Sequence, residues 1–132
     1  MTKTKRKKQL GKIKKKRAKL VKNNLALMRK VRKLGFKSAQ EFKLYEALKN
    51  EGISVYHNII LLYEEIDLFV PPKIIIEIGF RDEKLLEKWE KFEKQDYEFM
   101  YFSNLEVDSK ETLNRIVQKI KDKVARAIKK ND

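Results

Sequence analysis

Two short apolar runs, Ile66–Val70 and Ile74–Ile78, stand on either side of Pro71-Pro72 in the stretch EEIDLFVPPKIIIEIGF (64–80). Each has the length of a strand, and each is interrupted by one carboxylate: Asp67 in the first, Glu77 in the second. Side chains alternate across a strand. Asp67 and Phe69 therefore share one face, with Ile66, Leu68 and Val70 on the other. Glu77 shares its face with Ile75 and Gly79. If the two strands pair, both carboxylates converge at one end of a sheet. Buried carboxylates are costly when unpaired, and two side by side repel. A divalent cation with oxygen ligands, Mg²⁺ being the common one, relieves both penalties. A lysine or arginine partner, or a solvated sheet edge, would also satisfy these acids, and the two positions alone do not choose.

The charge is divided along the chain. Of 33 Lys and Arg, 17 fall within residues 1–40, which hold no Asp or Glu; the other 16 stand against all 19 acids. A strongly cationic arm thus precedes a nearly neutral domain. The natural partner is a polyanion, and nucleic acid is the commonest one in the cytoplasm. An anionic membrane surface is the rival, though the arm lacks the large aromatics that favour it. Cysteine is absent, which removes disulfides and thiolate metal sites. One histidine, His57, and no cysteine leave no Ser/His/Asp or Cys/His nucleophilic set, and no Gly-rich phosphate loop occurs. No apolar run is long enough to span a bilayer or serve as a signal-peptide core. The chain reads as a soluble cytoplasmic protein of one domain, 37–132, behind an arm, 1–36.

In chain order, residues 2–9 carry dense like charge and read as disordered. Leu10, Ile13, Leu20, Val21, Leu25, Met28 and Val31 recur at near-helical spacing, and Gly35 is a helix stop. The phosphate-binding candidates are Lys5, Arg6, Lys7, Lys8, Lys14, Lys15, Lys16, Arg17, Arg29, Lys30, Arg32 and Lys33. They would confer salt-sensitive affinity without sequence readout. Ser38-Ala39-Gln40-Glu41 is a capping box opening a helix to about Asn50, so Glu41 has a structural role available to it. A strand is expected over 53–63, a tight connection at Glu64-Glu65, and then the two acid-bearing strands. Asp82 caps a helix to about Gln95, buried through Leu85, Leu86, Trp89 and Phe92; its lysines read as a solvated face. Tyr97–Phe102 is a fourth strand, 104–108 a loop, and a last helix follows with Leu113, Ile116, Val117, Ile120, Val124 and Ile128 on one stripe. The order is a basic helix, then α-β-β-β-α-β-α.

Taken together, S-x-x-E on a helix, a strand, Asp67, IIIE ending at Glu77, a helix, YEFMYFSNLEV at Tyr97–Val107 and a closing helix resemble the Vsr-like (very-short-patch-repair-type) small nucleases. That group lies within the PD-(D/E)xK restriction-endonuclease-like superfamily. The likeness covers residues 38–122 and rests on order and spacing, since each motif is short. It implies an α/β (α+β) restriction-endonuclease-like core with a mixed sheet flanked by helices, and Mg²⁺- or Mn²⁺-dependent cleavage of DNA. It implies that Asp67 and Glu77 are metal ligands, that Glu41 completes the site, and that the stretch Tyr101–Asn104 is the late core strand and its exit. The sequence departs from the pattern at Gly79, where the superfamily usually has Lys and this branch Asp or His. Glycine brings no side chain, so the role has moved or catalysis has been lost. Lys73 lies roughly 13 Å away along the strand, which leaves Asp82 and Lys84 beyond the strand end, with Lys84 as the expected catalytic lysine. A non-catalytic DNA- or RNA-binding protein on a degenerate nuclease fold is the alternative; a ribosome-associated factor and a membrane-surface protein are more distant ones. Oligomeric state and substrate form are not legible in the chain.

Overall fold

The structure is a computed structural model describing Lys22 and residues 25–131. Residues 25–33 are helical (α1). Gly35, at φ 84°, ends this helix: its amide bonds Arg32 O at 3.1 Å and the Phe36 amide bonds Val31 O at 3.0 Å. That is the Schellman stop, in which a left-handed glycine turns the chain back and brings the next apolar residue onto the helix end. Phe36 accordingly packs with Val31 and with Phe42 of the following helix. The expected stripe is only partly used. Val31 is buried, but Leu25 and Met28 are exposed, because Phe36 folds against Val31 and Leu27 instead. The arm upstream, with Lys5, Arg6, Lys7, Lys8, Lys14, Lys15, Lys16 and Arg17, lies outside the described residues.

Helix α2 (Ala39–Asn50) starts at Ser38, whose hydroxyl accepts from the Glu41 amide at 3.1 Å. Strands β1 (Tyr56–Leu61), β2 (Glu64–Val70), β3 (Ile74–Ile78) and β4 (Glu98–Phe102) form one sheet in that order. The first two pairings are antiparallel and β3–β4 is parallel. A parallel pair needs a crossover, and α3 (Glu83–Lys94), capped by Asp82 at 2.8 Å from Leu85 N, supplies it. α4 (Asn104–Asp108) and α5 (Lys110–Asn131) follow. Two cores result. Leu44 and Leu48 of α2, Val107 of α4 and Ile116 and Ile120 of α5 cover one sheet face with Leu68, Val70, Ile74 and Ile76. Leu85 and Phe92 of α3 cover the other with Ile75 and Phe99. The fold is a mixed α+β layer structure with a four-stranded sheet between helices. No described helix is long and apolar enough to cross a membrane.

Three local expectations are corrected. Residues 104–108 are a helix rather than a loop: Ser103 and Glu106 form a reciprocal capping box. The β1–β2 connection is Leu62-Tyr63, and Glu64-Glu65 already belong to β2. Ile66 packs with the α3-side core, apart from Leu68 and Val70. The β1–β2 pairing skips the position where Asn58, at φ 50°, would face Asp67, and a broken ladder does not keep strict alternation.

Candidate active site

Asp67 and Glu77 meet where β2 and β3 part. Their ladder runs Val70↔Ile74, Phe69↔Ile75, Leu68↔Ile76 and stops one position before the two acids would pair. The side chains take over. The Asp67 amide donates to Glu77 Oε2 at 3.0 Å, and the Ile78 amide donates to Asp67 Oδ2 at 3.0 Å. β3 stays in the sheet through β4, with the Gly79 amide on Phe102 O at 3.1 Å. Each carboxylate is thus held by the backbone of the other strand. This is the convergence expected from the strand pattern.

Two ammonium groups neutralise the pair. Lys88 of α3 donates to Glu77 Oε1 and to the Glu65 carbonyl. Lys37, ahead of α2, stands 3.7 Å from Asp67 Oδ1 and 3.3 Å from Glu65 Oε2. Glu77 is buried, and its pKa is pushed up to about 7 by that burial, then by hydrogen bonding and repulsion from Asp67; Lys88 pulls it down. Glu41 is 2 % exposed, and its Oε1 is buried with no hydrogen-bond partner. Its pKa also rises to about 7, first from burial and then from the charge on Asp67, against the Lys37 amide and ammonium. The capping box is therefore only half used: Ser38 caps α2, while the Glu41 carboxylate is met by the Lys37 amide rather than the Ser38 amide and feels the charge on Asp67.

An open cleft of about 460 Å³ joins Asp67, Glu77, Lys37 and Lys88 to Tyr63 and Phe80. Lys84 and Asp82 line the same cleft, but the lysine in contact with Glu77 is Lys88, one helical turn further on. Sequence reasoning missed Lys88 and Lys37. A signal for Lys88 existed, since it lies three residues from Leu85 and four from Phe92, on the edge of their buried stripe. Gly79 sits at φ 128°, a backbone region suited to glycine. Nothing stands within 4 Å of where its Cβ would be, so conformation rather than crowding explains the glycine. Its carbonyl accepts from the Tyr101 hydroxyl. Arg29, Lys30, Arg32 and Lys33 are exposed on α1, with the Lys30 ammonium 5.5 Å from the Phe42 ring. His57, opposite Leu68 in the sheet, stacks on Phe36 with centroids 4.0 Å apart and packs edge-on to Tyr45.

The donor set is hard oxygen: two carboxylates in mutual contact and a third, Glu41, with a buried unpartnered oxygen. That chemistry fits Mg²⁺ or Mn²⁺, which commonly take one or two carboxylates and draw their remaining ligands from water or phosphate. Among the described residues no three His, Cys, Asp or Glu side chains form a ready cluster for an ion. The fit therefore rests on Asp67 and Glu77, with Glu41 as a neighbouring charge.

The fold is endonuclease-like. Among solved structures it is similar to the homing endonuclease I-Bth0305I catalytic domain, with a TM-score of 0.53 over 62% of this chain and 89% of that one. Identity is 16%, so the likeness is one of fold. No protein-family profile and no curated protein matches the sequence.

The two raised acids make a pH prediction. Glu41 has a folded pKa of about 7 against an ordinary 4.5. The folded chain then binds more protons between those values, and stability falls as pH rises through that window. His57, depressed by burial and then by Lys49, acts in the opposite sense, so variants must be compared at matched pH. Glu41→Gln should gain about 2–3 kcal/mol on the metal-free wild type between pH 5 and pH 8. Denaturant unfolding at the two pH values measures this. A difference that does not change with pH would mean that Glu41 is not charged against its surroundings.

Proposed function

We propose that this chain is a divalent-metal-dependent endonuclease that hydrolyses DNA phosphodiester bonds, of the PD-(D/E)xK type and nearest its Vsr-like branch. One observation carries the reading. At the fork of two strands a backbone-locked carboxylate pair opens into a cleft, with a lysine ammonium in contact with it. The endonuclease-like fold supports it, since a homing endonuclease catalytic domain shares that fold.

Asp67 and Glu77 would hold the cation, with Glu41 beside them. When bound, the cation supplies positive charge to the phosphoryl oxygens and makes a water more acidic. The chain does the rest. Lys88 places a second positive charge where negative charge develops on phosphate, and its hold on the Glu65 carbonyl fixes that charge before substrate arrives. Glu41, buried close enough to feel the charge on Asp67, would add negative charge to the cation's surroundings. Lys37 orients Asp67. The exposed cations Arg29, Lys30, Arg32 and Lys33 and the arm upstream would neutralise flanking phosphates.

Gly79 favours a second reading, a non-catalytic nucleic-acid binder, because the position that usually carries a motif side chain has none. Lys88 argues against it by bringing an ammonium to Glu77 from α3. Nicking of supercoiled plasmid decides between them. Relaxed product is expected with Mg²⁺ or Mn²⁺ and none with EDTA. Tight, salt-sensitive binding without cleavage of duplex, branched or single-stranded DNA would overturn the nuclease reading and leave the binder.

A further inference from the structure

The β1–β2 hairpin turns on Leu62 and Tyr63, at φ 51° and 65°, between the paired residues Leu61 and Glu64. A two-residue loop with both φ values positive normally uses Asn and Gly, because a larger side chain in this region is strained. Here it uses a leucine and a tyrosine. The tyrosine gains nothing from the fold in return, being 99% exposed. The turn on either side of it is braced. Lys91 donates to the Leu62 carbonyl at 2.7 Å and stands 3.5 Å from Glu64 Oε1. One turn back on the same helix, Lys88 grips the Glu65 carbonyl and Glu77. A single helix therefore fixes the turn and the acid pair relative to each other. Tyr63 and the acids line one cleft. Phe80, 90% exposed in the same cleft, follows Gly79 and involves no comparable backbone strain.

A strained, braced turn that presents a bare aromatic ring beside a charged cleft calls for a flat apolar face carried on a charged strand. A nucleobase has that form, and stacking on aromatic rings is how proteins hold bases that are free of their neighbours. Bases inside a continuous duplex are stacked on both sides and offer no face. We propose that Tyr63 is a stacking platform for an unpaired base next to the phosphate held at the acid pair, so that the preferred substrate is nucleic acid with an unstacked nucleotide there: single strand, flap or gap. This rests on the nucleic-acid part of the proposed function, and it names the substrate class.

The test is binding of the full chain in EDTA, where no cleavage intervenes. Two duplexes are compared that differ only in whether one fluorescent purine analogue is paired or unpaired, together with a single strand and a flap. The wild type should bind the unpaired probe about tenfold more tightly than the paired one and should quench it. Tyr63→Ala should lose that preference and the quenching while binding matched duplex as the wild type does; Tyr63→Phe should keep both. Tyr63→Gly should raise Tm by relieving the turn and still lose the preference, which a purely structural role would not do. Equal effects of Tyr63→Ala on paired and unpaired probes, or none on either, would overturn the inference. If plasmid nicking survives while the preference is absent, the stacking role alone fails. If no probe binds in any form, the nucleic-acid reading fails with it.

Discussion

Asp67→Asn and Glu77→Gln are each expected to cut metal-dependent nicking by about 10³-fold or more while leaving DNA affinity unchanged or slightly tighter. The sign of the binding effect follows from charge: each change removes one negative charge beside incoming phosphate. The stability effect begins from burial. Glu77 has its pKa raised to about 7, chiefly because its charged form is poorly solvated. A neutral amide of the same shape removes that burden at pH 8. It keeps one of the two bonds Glu77 accepts, from the Asp67 amide and from Lys88, and leaves the Lys88 ammonium without its carboxylate. The relief of burial and the broken Lys88 pair oppose each other, so Tm at pH 8 should stay close to that of the wild type as activity disappears. Mg²⁺ should raise the Tm of the wild type through preferential binding to the folded state and should do so far less in either variant. Loss of activity with a collapsed Tm would make the acids structural. Retained activity in both variants would remove the site altogether.

The acid pair was legible because strands punish misfits. In IDLFV and IIIEI all the other positions are apolar and β-prone, so a carboxylate stands out, although the break beside Asn58 interrupts the alternation next to Asp67. Helix α3 gives no such contrast. Lys84, Lys88, Lys91 and Lys94 look alike on the surface of EKLLEKWEKFEK. Only the angle at which α3 crosses the sheet sends Lys88 to Glu77 and Lys91 to the hairpin turn. The turn itself was misplaced by two residues because Leu62-Tyr63 carries none of the usual turn chemistry; its conformation is imposed by the strands and by Lys91. Helix α4 was missed although Ser103 and Glu106 repeat the same S-x-x-E signal seen at Ser38 and Glu41. The two signals then diverge: Glu106 returns to its cap, while Glu41 is buried near Asp67. Local sequence offers the same option in both places, and tertiary burial decides which is taken. Gly79 illustrates the limit from the other side. Its missing side chain reads as a lost function, yet its φ of 128° shows a backbone that would strain a lysine in that position.

Lys88→Met is expected to lower nicking by about 10²–10³-fold, and Lys84→Met only a few-fold. The methionine keeps most of the stem's packing and removes the charge, so the comparison isolates the ammonium. Both lysines line the cleft, but only Lys88 touches Glu77. Loss of that ammonium also removes what pulls the Glu77 pKa down. Glu77 then holds its proton to higher pH, and the rising limb of the pH–rate profile should move upward in Lys88→Met and stay in place in Lys84→Met. Stability carries the same signature. Breaking a largely buried ion pair strands the surviving charge, at a cost of about 3 kcal/mol at pH 8, and the cost should shrink near pH 5.5, where Glu77 is protonated and has no charge to strand. A uniform loss of stability at both pH values would point to packing alone. A large activity loss in Lys84→Met with none in Lys88→Met would return the catalytic lysine to the position expected from the sequence, and the Lys88–Glu77 contact would then be only the resting neutralisation of a buried acid.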